Sequence, residues 1–336
     1  MNNKDIVVIG TSLGGIEATK VLVAGFPSDI KASFFIVLHI GAAGGSLPKI
    51  LERVGPLAAS NAKDGEPIEV GHIYVAPPDH HLLLEGSGHV RVTRGPKENR
   101  TRPAVDPLFR SAAFGFGPRV IGVILTGELD DGTAGLFAIK ACGGTAIAQE
   151  PEDALAPSMP LSALRHVAVD HCVPLKEIAP LLVKLSRTAV EIKGAKPMPE
   201  KIETELKIAN EVNAIEAGVM EWGEPSVYTC PECHGVLLQL KEHSNLRFRC
   251  HTGHAYSLES LLAEFSERSE ENLWNAMRSM EENILLMRCV AAHCSDNGNR
   301  ARAEALLKKA LETQKLCELI RRAAMARKSA PSGPSP

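Results

Sequence analysis

The sequence lacks any excess of positive charge, since its 37 lysines and arginines are outnumbered by 40 aspartates and glutamates. Proteins that coat nucleic acid or an anionic membrane usually carry a basic surface, so neither partner is indicated. Aromatic residues make up only 4% of the chain. Together with the acidic balance, this scarcity argues against a nucleic-acid-binding zinc protein, and we expect no nucleic-acid partner.

A long hydrophobic run is also missing from the start of the chain. The first ten residues, MNNKDIVVIG, contain one lysine and an apolar stretch too short for a signal peptide or a membrane span. We therefore expect a cytoplasmic protein without direct membrane insertion. A hydrophobic content of 44% is ordinary for a globular chain with one large core or two smaller ones.

Residues 5 to about 185 alternate apolar, β-branched runs with helical stretches. The runs that predict strands are IVVIG, FFIVLHI, HIYVAP, VIGVILTG and GTAIAQ. Parallel strands need crossover connections, so this alternation predicts an α/β fold with a mostly parallel sheet covered by helices on both faces. The segment HHLLLEGSGHVRVTRG breaks the pattern and predicts a β-hairpin at the sheet's edge, which would make the sheet mixed.

The remainder of the chain divides into shorter segments after a catalytic domain of residues 1–190. Residues 191–226 are polar and proline-bounded, and we interpret them as a linker. A cysteine-rich module of residues 227–256 follows. Residues 257–325 show apolar residues at three- and four-residue intervals, which predicts an α-helical hairpin that either packs as a structural pair or binds a signalling partner. The tail, residues 326–336, is expected to be disordered.

A glycine-rich loop, Gly10 to Gly15, joins the first predicted strand to the helical IEATKVLV and contains Ser12. A dinucleotide-binding loop is disfavoured, because it needs glycine at position 12 and an acidic residue where His39 ends the second strand. A purely structural glycine turn stays open, since short Gly-Ser motifs are common. The third interpretation is a nucleophile elbow, in which a G-x-S-x-G turn raises the serine hydroxyl beside unpaired backbone N–H groups.

A base and a residue to orient it are found at the ends of other predicted strands. His39 ends FFIVLHI, and Asp131 follows VIGVILTG. The carboxyl ends of neighbouring parallel strands meet at one crevice, so Ser12, His39 and Asp131 are predicted to form a Ser-His-Asp site. The chain order differs from that of α/β-hydrolases, which indicates another fold with convergent chemistry. The adjacent Asp130 is expected to face solvent.

Six blocks of sequence occur in order: VVIGTSLGG, IVLHI, YVAPPDHHL, NRTRPAVDPLF, VILTGELDDGTAG and AIAQEPEDALAPSMP. Together they resemble the catalytic domain of the CheB-type protein-glutamate methylesterases of bacterial chemotaxis, from about Asp5 to about Leu185. The resemblance implies that Ser12 is the nucleophile, that His39 is the general base and that Asp131 orients the imidazole. It also implies a methylated chemoreceptor-like substrate, release of methanol, deamidation of glutamine in some members, and no catalytic cofactor.

Two positions beside the predicted site depart from the family's usual pattern. Leu13 stands where the family usually has threonine, and Glu128 stands where it usually has methionine. Developing charge on the ester's carbonyl oxygen needs preorganised hydrogen-bond donors. The backbone N–H groups of Leu13, Gly14 and Glu128 are our candidates for this oxyanion site.

Three further residues are candidate substrate contacts. Arg100 and Arg102 could meet an acidic receptor surface, although solvated loop charges explain them equally well. Met159 is the third candidate. Chemotaxis members commonly carry an N-terminal receiver domain, whereas the resemblance here begins near residue 5, so we expect a stand-alone form. A non-catalytic signalling adaptor with the same fold is the alternative function, and the intact triad argues against it.

Three of the eight cysteines, Cys230, Cys233 and Cys250, fall within one short segment. In a reducing compartment this clustering indicates a metal site rather than disulfides. Two knuckles, CPEC and CHTGH, flank the predicted hairpin VLLQLKEHSNLRFR and so predict a zinc ribbon. His254 is the preferred fourth ligand, and His251 is the alternative, because adjacent ligands are harder to place on one tetrahedron. Closed coordination would make the Zn²⁺ structural.

Overall fold

The computed structural model divides the chain into two compact units, Met1–Leu261 and Leu262–Pro336. Within the part of the chain that the structure describes, no helix is both long and apolar enough to span a bilayer. The described residues are 3–39, 46–190, 200–242 and 245–328.

A seven-stranded sheet lies at the centre of the first unit. The strands in this region are β1 Ile6–Thr11, β2 Ser33–Leu38, β3 Ala58–Asn61, β4 His72–Val75, β5 His81–Glu85, β6 His89–Thr93, β7 Val120–Ile124, β8 Thr145–Gln149 and β9 His171–Val173. Their order in the sheet is β3-β4-β2-β1-β7-β8-β9, and every neighbouring pair is parallel. All five predicted strands are present. Strands β3 and β9 are not predicted by the hydrophobic pattern, because they are short and largely not buried.

Helices cover both faces of this sheet, as predicted. They are α1 Gly15–Ala24, α2 Leu47–Val54, α3 Val105–Phe116, α4 Thr133–Ala141, α5 Ser158–His166 and α6 Leu175–Ser186. Side chains alternate between the faces of a strand, so Val8 packs with α3, α4 and α5 while Val7 packs with α1, α2 and α6. The sheet is therefore buried on both sides between two apolar layers.

The predicted hairpin consists of β5 and β6, which pair antiparallel with each other. Its assignment to the edge of the sheet is wrong, because among the described residues it forms a separate two-stranded sheet. The hairpin packs on α3 instead, where the Leu84 N–H donates to Ser111 Oγ at 3.0 Å. Its three leucines, Leu82 to Leu84, are buried.

The predicted linker, residues 191–226, contains helix α7, Glu200–Ala209. The linker interpretation is wrong for this helix, because Ile202, Glu205 and Leu206 are buried and the two apolar side chains join the core beside the sheet. Glu205, a charged residue on the buried face of the helix, interrupts the hydrophobic pattern in the sequence. Residues 191–199 lie outside the described residues.

The cysteine-rich segment forms a four-stranded antiparallel sheet with the order β10-β11-β12-β13. These strands are β10 Glu224–Thr229, β11 Val236–Glu242, β12 Asn245–Cys250 and β13 Ala255–Ser257. We call residues 224–257 the ribbon. Strands β11 and β12 are the hairpin predicted between the two cysteine knuckles.

A buried network of ion pairs joins β12 of the ribbon to α3 and α7. The Arg249 guanidinium lies 3.0 Å from Glu98 and 2.9 Å from Glu205. Arg110 on α3 pairs with the same two carboxylates, and Arg247 pairs with Glu205 at 2.7 Å. Burial alone would raise the pKa of Glu205, but the three arginines outweigh it and lower that pKa. The ribbon is thus fixed to the catalytic region within one unit.

Two long helices lie in the second unit, apart from the first four residues of α8, which belong to the first unit. Helix α8 covers Leu258–Asp296 and helix α9 covers Arg300–Lys328, close to the predicted helical segments. Their contact is formed by Met277, Ile284, Met287, Ala310 and Cys317. A partner for this pair stays a prediction. Residues 329–336, which include most of the tail expected to be disordered, lie outside the described residues.

The buried ion pairs lead to a prediction about stability. Arg249→Met removes a cation from between Glu98 and Glu205, so we expect the free energy of unfolding of the full chain to fall by about 3 to 5 kcal/mol. Urea unfolding would measure this change. As a control, Lys207→Met removes an exposed cation that lies 3.0 Å from Glu203, and its effect should stay below about 1 kcal/mol. Equal losses in the two variants would contradict the role given to the network.

Candidate active site

The three predicted catalytic residues follow three strands that are neighbours in the sheet. Ser12 follows β1, His39 follows β2, and Asp131 lies in the loop between β7 and α4. The His39 N–H donates to the Thr11 carbonyl at 3.2 Å, which fixes the end of β2 beside the serine loop. The His39 Nε2 lies 2.9 Å from Asp131 Oδ2. The sheet therefore brings all three residues to one edge.

Asp131 is a buried carboxylate surrounded by hydrogen-bond donors. Besides His39, it accepts hydrogen bonds from the Val105 N–H at 2.6 Å and from Asn99 Nδ2 at 2.9 Å. Burial by itself would raise the pKa of Asp131, but the hydrogen bonds from His39, Val105 and Asn99 outweigh it and lower that pKa. With Nε2 bound to the carboxylate, Nδ1 is the imidazole nitrogen that could accept a proton.

The serine loop is fixed by Thr126, two residues after the end of β7. The Ser12 N–H donates to the Thr126 carbonyl at 3.0 Å, and the Thr126 hydroxyl donates to the Leu13 carbonyl at 2.9 Å. Among the described residues, the half-buried Ser12 side chain forms no hydrogen bond, including with His39. Catalytic hydrogen bonds are often long in free enzymes and shorten in the substrate complex.

Two glycines allow the loops to approach closely. Gly14 has a φ of 81°, a backbone conformation that residues with a Cβ rarely adopt. A Cβ at Gly127 would lie 2.9 Å from the Ser12 Cβ and 2.1 Å from the Met159 sulfur. Met159 is fully buried and packs under Gly127. In this structure it therefore supports the loop, in contrast to the predicted substrate contact.

The candidate oxyanion donors are available for binding. Among the described residues, the N–H groups of Leu13, Gly14 and Glu128 have no hydrogen-bond acceptor. The neighbouring Gly127 N–H is already bound to the Ala156 carbonyl at 2.9 Å, which makes Glu128 the first available donor on that loop. Their role as oxyanion donors stays a prediction.

The two arginines differ in their surroundings. The Arg102 guanidinium binds Asp79 at 2.7 Å and the Gly95 carbonyl at 2.7 Å. These bonds occupy the head group and tie the loop to the end of β6, so Arg102 is placed to position the loop. Arg100 is partly exposed in a left-handed conformation, with a φ of 73°. Contact of Arg100 with substrate stays a prediction.

Asp130 does not face solvent as expected. It is half-buried, and its Oδ1 accepts a hydrogen bond from Ser257 Oγ at 2.7 Å. Burial, together with the charge of Asp131, raises the pKa of Asp130 to about 6. The two adjacent carboxylates therefore have different partners, and it is Asp131 that contacts His39.

Sequence reasoning missed three polar residues that support the site. Gln149 Oε1 accepts the Thr126 N–H at 2.9 Å, and the Thr126 hydroxyl accepts the Ala156 N–H at 2.8 Å. Asn99 binds Asp131, as described above. Thr126, Gln149 and Asn99 each lie inside or beside a block that matched the family, but a single polar residue does not reveal a distant partner.

Cys230, Cys233, Cys250 and His254 converge in the ribbon. The sulfurs of Cys233 and Cys250 are 3.6 Å apart, and His254 Nδ1 lies 3.5 Å from Cys250 Sγ and 3.7 Å from Cys230 Sγ. A tetrahedral zinc ion with ordinary bond lengths separates such atoms by about 3.5 to 3.8 Å. The cluster therefore fits this ion.

The alternative ligand, His251, is placed differently. Its side chain is exposed and packs against Gly235, where an added Cβ would lie 2.2 Å from the His251 ring. Among the described residues, the ligand atoms of Cys230, Cys233, Cys250 and His254 lie within 4.8 Å of one another, and His251 is not part of this group.

Comparison with known proteins identifies the family. The CheB methylesterase family matches residues 7–182, just over half of the chain. The chain belongs to this family. The crystal structure of the Thermotoga maritima CheB methylesterase catalytic domain superimposes with a TM-score of 0.52 at 35% identity, covering 54% of this chain and 98% of that one.

Several relatives extend the comparison. A relative from Leptospira interrogans is 38% identical over 56% of this chain and 98% of its own length. Proteins from Methanosarcina mazei and Pyrococcus horikoshii, both named protein-glutamate methylesterase/protein-glutamine glutaminase, are 35% and 36% identical over 55% of this chain. The chain spans about half the length of these two, 52% and 50%. None of these relatives supports the alternative of a non-catalytic adaptor.

Proposed function

We propose that this chain is a serine hydrolase that removes methyl esters from glutamate side chains of chemoreceptor-like proteins and releases methanol. The observation that carries the proposal is the 2.9 Å contact between His39 and Asp131 beside Ser12. Membership of the CheB methylesterase family supports the reaction, as do the names of the relatives. The scheme requires no cofactor, because side chains and backbone N–H groups fill every role.

The reaction begins at Ser12, whose hydroxyl is a weak nucleophile at neutral pH. As Oγ attacks the ester carbonyl, His39 Nδ1 accepts the hydroxyl proton, and Asp131 stabilises the imidazolium through Nε2. The N–H groups of Leu13, Gly14 and Glu128 are placed to bind the oxyanion, and each such donor is worth about 10² to 10³ in rate.

The tetrahedral intermediate then collapses to an acyl-enzyme. The bond between the carbonyl carbon and the methoxy oxygen breaks, and His39 gives its proton to the departing methoxide, so methanol leaves. Water attacks the acyl-enzyme with His39 again as base, which releases the glutamate carboxylate and restores Ser12.

The same acyl-enzyme would form from a glutamine side chain. In that case His39 protonates the departing nitrogen, and ammonia leaves in place of methanol. We include this deamidation in the proposal because both named relatives carry the glutaminase designation.

Removal of either the nucleophile or the base should abolish the reaction. We expect Ser12→Ala and His39→Ala each to reduce methanol release from methylated receptor to background, because the two residues act in one step. Circular dichroism would verify that both variants keep the parent's fold. Near-normal turnover in either folded variant would rule out the proposed mechanism.

The two adjacent aspartates should differ sharply. Asp131→Asn leaves His39 in the wrong tautomer and should lower kcat by a factor on the order of 10⁴, the magnitude seen for the corresponding change in a serine protease. Asp130→Asn keeps an oxygen for Ser257 and should change kcat little. Methanol release by both variants would test this. A larger loss at Asp130 would mean that the orienting carboxylate is misassigned.

We also propose that the ribbon binds one structural Zn²⁺ through Cys230, Cys233, Cys250 and His254. Three thiolates and one imidazole complete a tetrahedron and leave no position for a substrate. A ribbon this small has little apolar core, so the ion would contribute directly to its folding.

Elemental analysis tests the zinc proposal. We expect one zinc per chain in protein purified without chelator, and a loss of most of that zinc in His254→Ala. The control His251→Ala should retain the metal, because its exposed ring lies outside the ligand cluster. Metal-free parent protein, or loss of zinc in the control alone, would contradict the assigned ligands.

A further inference from the structure

The side chain of Asn99 connects the catalytic carboxylate to the end of the ribbon. Its Nδ2 donates to Asp131 at 2.9 Å and to Asp106 at 3.0 Å. Its Oδ1 accepts the Ser257 N–H at 3.0 Å and the Ser260 hydroxyl at 3.2 Å. The amide is buried, and both of its ends are bound to protein groups. A displacement of Ser257 would therefore alter the hydrogen bond between Asn99 and Asp131.

The backbone around Asn99 is also fixed by the ribbon. The Asn99 N–H donates to the Ala255 carbonyl at 2.8 Å, and the Ala255 N–H donates to the Lys97 carbonyl at 3.2 Å. The preceding Glu98 is bound by Arg249 on β12. Asn99 has a φ of 47°, a conformation that asparagine tolerates better than most residues. Side chain and backbone are thus both positioned by the C-terminal part of this unit.

Asp131 divides its hydrogen bonds between two oxygens. Oδ2 contacts His39 and the Val105 N–H. Oδ1 accepts the Asn99 amide at 2.9 Å and the Asp106 N–H at a longer 3.3 Å. Without the amide, Oδ1 would keep the longer of these two bonds, and the carboxylate could rotate away from the imidazole.

We propose that Asn99 is a positioning residue for the Asp131–His39 pair, and that the segment from Ala255 to Ser260 sets its position. The inference rests on the proposed function, because it assigns to the ribbon a role in orienting the same catalytic pair. It gives the C-terminal extension a part in the reaction although the ribbon supplies no reacting group.

Asn99→Gly is the sharpest variant, because it removes the amide and keeps a residue that adopts positive φ without strain. We expect kcat for methyl ester hydrolysis to fall by about 10- to 100-fold, as for the loss of a hydrogen bond to a charged group. KM should change less than about twofold, because the amide is buried and reaches no substrate. Ser260→Ala, which loses one of the two hydrogen bonds to Oδ1, should lower kcat by a smaller factor of about 5.

Lys97→Met is the matched control. It breaks an exposed ion pair, 2.7 Å long, between Lys97 and Glu232, and so it alters a contact between the same two parts of the chain without touching Asn99. Its kcat and KM should equal those of the parent. Circular dichroism and thermal unfolding would verify that all three variants are folded.

A second readout is independent of turnover. In proton NMR, the Nε2–H of His39 bound to Asp131 should give a far-downfield resonance in the full chain. We expect this resonance to shift or broaden in Asn99→Gly and to be unchanged in Lys97→Met. If Asn99→Gly keeps both the parent's kcat and the parent's resonance, the positioning role is overturned while the proposed function stands. A parent that shows the resonance but releases no methanol would contradict the proposed function instead.

Discussion

A buried carboxylate must be given enough hydrogen-bond donors to stay ionised, and the architecture around the site depends on meeting this requirement at Asp131. Its exposed fraction is only 3%, yet the proposed mechanism requires it as an anion beside His39. The sheet supplies His39, and helix α3 supplies the N–H groups of Val105 and Asp106 from its first turn. A helix N-terminus suits an anion because its first N–H groups lack partners within the helix. The sheet and α3 thus jointly stabilise one charge.

The third source of donors is Asn99, which lies outside the parallel sheet and links Asp131 to Ser257 and Ser260. Asn99 follows Glu98, and Glu98 belongs to the buried network that includes Arg110 and Arg249. Breaking one partner of such a network is costly, because it leaves an uncompensated charge in the interior. The same network that fixes the ribbon therefore also fixes the residue beside it.

The parts of the molecule that could be predicted from sequence are those in which local pattern and tertiary structure agree. The five long apolar strands, the hairpin and the placement of Ser12, His39 and Asp131 at neighbouring strand ends follow from periodicity and from the geometry of parallel sheets. The cysteine cluster could also be predicted, because the residues that the sequence spacing indicates as ligands do lie together in the structure.

Three of the failures have the same cause, which is a partner distant in sequence. Asp130 was expected to face solvent, but Ser257 lies 127 positions away and binds it. The sequence of helix α7 predicts a linker because the buried face of the helix carries Glu205, whose cationic partners come from α3 and β12. The role of Asn99 could not be recognised from the sequence, since all four groups that bind its side chain belong to other elements. The hydrophobic pattern of a sequence does not show which charged or polar residues have partners far away in the chain.

Covalent labelling of the nucleophile tests the proposed Ser-His-Asp site most directly. The full chain would be treated with a fluorophosphonate at neutral pH, and the modified residue would be identified by peptide mass mapping. If Ser12 is the nucleophile, a single adduct forms on Ser12, at a rate that falls strongly in His39→Ala, and methyl ester hydrolysis is lost in proportion to labelling. An adduct at another serine, or full hydrolytic activity in protein labelled at Ser12, would contradict this assignment.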